Sequence, residues 1–305
     1  YNGTTIFTKT GGTDNHNNGN LNIFNSTVII NQQSSSGYFM LGYNSADSFA
    51  DDITVTNTGT SNIYLGYSSG TGTPTLAAGK TINVGGTGFN GGSLYFGTFT
   101  QNGNADVNLT FTGTAALYFA NNSVFGGNIT TNTPSLYFNG ATFNGTVHSE
   151  KTGASANTNT GGNTFNQEVT IINSGSGNLT LANTSPDIFN DNVIFTNTGT
   201  QIIYPAYNSP GNQFNGDIIV NSTGSSVGIS FCGGSSGSAT IATGKKIQIG
   251  GSGFTSGYLI LPRITQLGNA PINLNLAASA SYIQFGPNSS FCGNVTANAP
   301  GINLN

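Results

Sequence analysis

The sequence predicts an all-β fold, a parallel β-helix (β-solenoid) of about 12–13 coils of roughly 19–30 residues each. Three observations predict it. A short phrase, an aromatic residue followed by Asn, recurs along the whole chain. Runs of β-branched and aromatic residues alternate with Asn, Ser, Thr and Gly turn chemistry at a similar period. The composition is rich in Phe, Tyr, Val, Ile and Thr, the residues that fit a pleated sheet, and carries little charge.

The phrase is clearest at Phe143-Asn144-Gly145-Thr146-Val147. It returns at Tyr1-Asn2-Gly3, Phe24-Asn25-Ser26, Phe165-Asn166-Gln167, Phe189-Asn190-Asp191 and Phe214-Asn215-Gly216. Neighbouring copies lie roughly 22 to 25 residues apart, the mark of one supersecondary unit laid down many times. We read it as the corner of a coil. Phe24, Phe143, Phe165, Phe189 and Phe214 fill the core. Asn25, Asn144, Asn166, Asn190 and Asn215 stack as an amide ladder, and the next residue relaxes the bend. The competing reading gives the same Asn side chains to a sugar or an ion.

Two main strands follow in each unit. The first comes after the Phe-Asn corner, as in Ile53-Thr54-Val55, Val169-Thr170-Ile171-Ile172 and Ile218-Ile219-Val220, and ends in Asn-Thr-Gly or Asn-Ser-Gly turns. The second includes Leu94-Tyr95-Phe96, Leu117-Tyr118-Phe119, Leu136-Tyr137-Phe138 and Leu259-Ile260-Leu261. Alternation turns its flanking residues inward and its middle residue outward. Strands that recur once per turn lie on their equivalents in the previous turn and make parallel sheets. Each turn rises roughly 4.8 Å, for a rod of about 60 Å.

The chain reads as a single continuous solenoid made of two homologous blocks, 1–142 and 143–305. Thr56-Asn57-Thr58-Gly59 matches Thr196-Asn197-Thr198-Gly199 at an offset of 140 (196 less 56), and Lys80 matches Lys245 at 165 (245 less 80). The growth in offset equals one repeat unit, so the second block has gained one extra coil. The chain begins at the phase of Phe143 and stops at the phase of Asn139, and neither end carries a distinct cap. With no start methionine and no signal peptide, it reads as a segment of a longer repeat array. The expected partners are adjacent repeats or other copies stacked end to end.

Of the 305 residues only 5% are charged, against about 25% in an average domain. The net charge of −4 speaks against a nucleic-acid partner and a polybasic membrane patch. No apolar run approaches the ~18 residues of a spanning helix, so no membrane insertion is expected.

Candidates for chemistry are sparse. Asp51, Asp52, Glu168, Asp191 and Asp217 fall two or three places after the Phe position. They read as solvated turn residues, a weak Ca²⁺ contact or a glycosidase-like carboxylate pair, and no His or Arg recurs with them. His16 and His148 have no ligand partners at metal spacing. The separation of Cys232 and Cys292 is not a whole number of units, and they read as two buried or half-buried thiols. No catalytic residue, metal site or cofactor is assigned, and no enzyme activity is expected. Tyr95, Tyr118 and Tyr137 form an outward column. It supports the sheet face, packs against a neighbouring rod, or lies flat against sugar rings. Asn-Xaa-Ser/Thr triplets, such as those at Asn108 and Asn178, follow from composition.

Runs such as Thr142-Phe143-Asn144-Gly145-Thr146-Val147, Thr56-Asn57-Thr58-Gly59-Thr60 and Thr75-Leu76-Ala77-Ala78-Gly79-Lys80-Thr81-Ile82 resemble the β-strand-repeat regions of very large secreted surface proteins of Bacteroidota, adhesin-like and exported by the type IX system. The likeness runs along the whole chain. It implies an extracellular, cell-surface stalk or fibre and carries over no catalytic residue. A carbohydrate-binding adhesin module using the tyrosines is the alternative, and a β-helix polysaccharide lyase or hydrolase a third.

Overall fold

The computed structural model describes residues 1–305 except 17–19, 68–71, 121, 225–226, 278 and 280–281; the His16 side chain is also outside the description. Every strand pairing is parallel, and the described residues contain no helix. The chain is a β-solenoid of about 12 turns. It divides into two compact units, Tyr1–Thr146 and Val147–Asn305.

In the first unit each turn gives one strand to each of three sheets. The first sheet holds Thr5–Lys9, Val28–Gln32, Ile53–Asn57, Ile82–Phe89, Val107–Thr110 and Ile129–Thr133. The second holds Asn15–His16, Phe39–Leu41, Ile63–Leu65, Ser93–Phe96, Ala116–Ala120 and Ser135–Asn139. The third is built of two-residue strands: Ile23–Phe24, Ser48–Phe49, Thr75–Leu76, Thr100–Gln101, Val124–Phe125 and Thr142–Phe143. The second unit repeats the plan. Its first sheet runs from Val147–Lys151 through Val169–Asn173, Val193–Asn197, Ile218–Ser222, Ile247–Phe254 and Ile272–Asn275 to Val295–Asn298.

The third sheet corrects the reading of two strands per turn. The recurrent Phe is the last residue of a strand, and the bend begins at the Asn that follows. Two residues are too few for alternation to show in a sequence, so only the stacking reveals this strand.

The register explains why the turns repeat. Thr5 pairs with Val28 and Val28 with Ile53; in the second unit Val169 pairs with Val193 and Val193 with Ile218. Inward positions then meet like residues in the next turn. Phe189 stacks between Phe165 and Phe214, with ring centroids at 4.9 and 5.1 Å and planes within 6°. Phe24 and Phe49 do the same at 5.1 Å. Each such ring is almost fully buried, which stabilises the fold by roughly 2–3 kcal/mol per side chain. The core is therefore a file of side chains shared between neighbouring turns.

One irregularity occurs once in each unit at the same place. Ile82–Phe89 and Ile247–Phe254 are eight residues long. Each follows its predecessor in register for three residues, then slips, so that Phe89 pairs with Asn57 and Phe254 with Ser222. The four residues between, Gly-Gly-Thr-Gly and Gly-Gly-Ser-Gly, oppose a single residue of the previous turn and bulge outward. Gly88 and Gly253 take φ of +81° and +78°, a conformation only glycine adopts cheaply.

Candidate functional site

The sequence singled out an outward tyrosine column, an exposed Asn ladder and scattered acids. The structure places each of them and adds a buried polar column.

Tyr64, Tyr95, Tyr118 and Tyr137 occupy one register position on successive strands of the second sheet in the first unit. Alternation turns them outward while Leu94, Phe96, Leu117, Phe119, Leu136 and Phe138 go into the core. Their rings stack at 4.5, 4.1 and 4.2 Å, with planes within 14° of parallel. Tyr38 meets Tyr64 edge-on at 5.6 Å, and Tyr67 links Tyr64 to Tyr43 at 5.6 and 5.3 Å. All seven side chains are half-buried. Burial raises the Tyr118 phenol well above its ordinary pKa, and the neighbouring phenols of Tyr95 and Tyr137 add to the effect.

This geometry corrects one expectation. The rings do not lie flat on the surface, because each covers the face of the next. What reaches solvent is a row of ring edges and hydroxyls, suited to hydrogen bonding or to packing against another sheet, not to face-on stacking of a sugar.

The Asn residues after Phe form rungs where Asn recurs in consecutive turns. Asn25 Nδ2 donates to Asn2 Oδ1 at 2.8 Å, Asn190 to Asn166 at 2.8 Å and Asn215 to Asn190 at 2.9 Å. The Asn144 N–H donates to the Phe125 carbonyl at 2.8 Å. The ladder stops at Ala50, which cannot supply a rung. Phe143 stacks on Phe125 at 5.7 Å in the core.

The acids are dispersed into turn contacts. Asp51 pairs with Lys80 at 2.7 Å, and the Lys80 ammonium, with help from the Asp52 N–H and the Thr27 hydroxyl, lowers its carboxyl to about 2. Asp52 accepts from the Thr81 N–H at 2.9 Å, and Asp217 from the Lys246 N–H at 3.1 Å, which is the same contact one block later. Asp191 accepts from the Asn192 N–H at 2.7 Å, and Glu168 is exposed. Among the described residues no three His, Cys, Asp or Glu side chains gather as a metal site. His148 is exposed on Val147–Lys151. No helix among the described residues is long and apolar enough to cross a membrane.

Both cysteines are free. Cys232 is buried and its thiol is pushed up to about 12 by desolvation. Cys292 is exposed, contrary to the expectation of a buried or half-buried thiol, because the Asn place it takes lies on the outside of the turn.

Sequence reasoning missed the polar column at the end of the first-sheet strands. In the first unit it runs Lys9, Gln32, Asn57; in the second, Lys151, Asn173, Asn197. All are buried. Their N–H groups cap carbonyls of the turn that follows. Asn57 reaches Ser61 O at 2.6 Å, Asn173 reaches Gly177 O at 3.1 Å, and Asn197 reaches Gln201 O at 3.0 Å. Asn197 also donates to Gly228 O at 2.9 Å, tying two turns together. Parity carried the signal: Val169, Ile171 and Asn173 alternate inward, yet Asn173-Ser174-Gly175 looked like turn residues.

A second buried polar pair was also missed. Asp47 accepts from the Asn22 N–H at 3.0 Å, the Gly42 N–H at 3.0 Å and the Ser45 hydroxyl at 2.9 Å. Asp187, its counterpart in the second block, accepts from the N–H and Nδ2 of Asn163 at 2.9 and 2.8 Å. These carboxylates brace corners instead of facing a cleft.

Comparison with known proteins finds no family model, no curated protein and no solved structure that matches this chain.

Proposed function

We propose that the chain is an extracellular structural stalk or fibre segment of a bacterial surface, adhesin-like, whose turns stack on adjacent repeats or other copies. The observation that carries this reading is the destination of the polar side chains. The Asn rungs, the inward Lys and Asn column and the buried Asp residues all hold one turn to itself or to the next. The first-sheet strands Thr5–Lys9 and Val295–Asn298 each pair on one side only, and the open turns beside them expose Ile6, Leu21, Ile302 and Leu304. The resemblance of the repeat to secreted Bacteroidota surface proteins supports the surface location in this reading.

Immunogold labelling of intact cells that carry the gene tests the reading, with antibodies raised against the chain. Label along surface fibres or on the outer face is the expected result. Label confined to the cell interior overturns it.

A further inference from the structure

The tyrosine column of the first unit has a chemistry that stalk-building does not require. Its four rings are in register and nearly parallel, at 4.1 to 4.5 Å. In that arrangement the ortho edge of each phenol lies beside the ortho edge of the next. The edges are open to solvent while the faces are covered. The phenols of Tyr95 and Tyr137 flank that of Tyr118, so a radical formed on Tyr118 has a coupling partner on either side.

Competing Trp, Met and thiol targets are few in the rest of the chain. It has no Trp and one methionine, Met40, which is 2% exposed. Cys232 is buried, and Cys292 lies in the other unit. We propose that Tyr64, Tyr95, Tyr118 and Tyr137 form an oxidative cross-linking site, at which a peroxide-driven one-electron oxidant of the haem-peroxidase class couples phenols of successive turns into dityrosine.

The chemistry balances. Two neighbouring phenols each give up one electron and the hydroxyl proton to become phenoxyl radicals. Their ortho carbons join. The two ortho hydrogens leave as protons, and each phenoxyl oxygen regains one as its ring becomes aromatic again. Overall two C–H bonds break, one C–C bond forms, and one hydrogen peroxide takes two electrons and two protons to give two waters. The product is a covalent staple between turns otherwise held by hydrogen bonds and stacking. The proposal stands on the ring geometry and does not depend on where the protein resides.

The test treats the purified chain, thiols capped with iodoacetamide, with a peroxidase and limiting hydrogen peroxide at high dilution. The expected product is monomeric, lighter by two hydrogens per link, and yields cross-linked peptides joining Tyr95 to Tyr118 or Tyr118 to Tyr137. Tyr118→Phe keeps the ring in the stack and loses both of those peptides, while a Tyr64–Tyr95 link persists. Tyr258 and Tyr282, stacked more loosely at 5.4 Å and 18°, give an internal comparison with a lower yield. Prior unfolding in urea abolishes the preference for the column. Links formed only between chains, or spread evenly over the tyrosines of the folded protein, overturn the proposal.

Discussion

Lys151 and Asn173 share one acceptor: Nζ of the first and Nδ2 of the second each lie 3.1 Å from the carbonyl oxygen of Gly177. Lys151 also donates to Gly153 O at 2.7 Å and is fully buried, with no carboxylate among its bonded partners. Desolvation lowers its ammonium from 10.5 to about 8. The unfolded chain then binds more protons than the native one between about pH 8 and 10.5, so this group makes stability rise with pH across that window. Chemical unfolding of wild type and Lys151→Asn at pH 7.5 and 10 checks it, at about equal ionic strength. The wild type gains on the variant at the higher pH, because Asn fills the column as it does at positions 173 and 197 without a charge to desolvate.

Asp187 gives the opposite slope. Burial raises its carboxyl from 3.8 to about 6, against the pull of the Asn163 donors and the Gly162 N–H. The native state therefore binds more protons than the unfolded one between those values, and stability falls as pH rises through them. Asp187→Asn keeps an Oδ1 acceptor for Asn163 and removes the buried charge. At pH 7 it is expected to stabilise the fold by up to roughly 3 kcal/mol, and the gain disappears near pH 4. Denaturant titrations at the two pH values measure it.

Phe189 touches rings in both neighbouring turns. Phe189→Ala removes both stacks and leaves a hole that the narrow core cannot close, for an expected loss of about 3–5 kcal/mol. Glu168→Ala, at an exposed turn position, is expected to change stability by less than about 0.5 kcal/mol. Equilibrium unfolding of the two variants side by side makes the comparison.

Glycine separates crowded corners from free ones. A Cβ at Gly199 would lie 2.1 Å from Gly175 O, and one at Gly86, on the outward bulge, meets nothing within 4 Å. Gly199→Ala is expected to cost at least about 1–3 kcal/mol as two stacked backbones are forced apart. Gly86→Ala is expected to leave stability nearly unchanged. Thermal melts of both report the difference.

The turn itself is a unit that can be removed. Val193 and Ile218 are register partners on adjacent turns. Deleting positions 193–217 joins Asn192 to Ile218 and restores the pattern on both sides, so a soluble, cooperative, β-rich protein is expected. Deleting half that length puts outward residues into the core and is expected to abolish folding. Circular dichroism and the sharpness of the melt tell the two apart.

The sequence made long strands legible wherever inward residues were apolar. Val169-Thr170-Ile171 and Leu117-Tyr118-Phe119 lie where alternation put them, in Val169–Asn173 and Ala116–Ala120. Two things were hidden. The third sheet was compressed into strands of two or three residues. The inward polar column looked like turn chemistry because Asn57, Asn173 and Asn197 are satisfied by carbonyls of the turn just beyond them, which no pattern of hydrophobicity records. The tyrosine column was half seen. Tyr95, Tyr118 and Tyr137 stood out, but Tyr64 did not, since its neighbour toward the start is the buried Met40. That the rings stand on edge follows only from how close the turns lie.

The placement of the few basic residues has a consequence for survival among proteases. The chain has six Lys and Arg in all. Lys9 and Lys151 are buried with their ammonium groups on turn carbonyls, Arg263 holds the carbonyls of Cys232, Gly234 and Gly237, and Lys80 is paired with Asp51. Only Lys245 and Lys246 remain, half-buried at one bend. Enzymes that cut after basic residues therefore find almost no purchase on the folded chain, and digestion by them must wait for a turn to open.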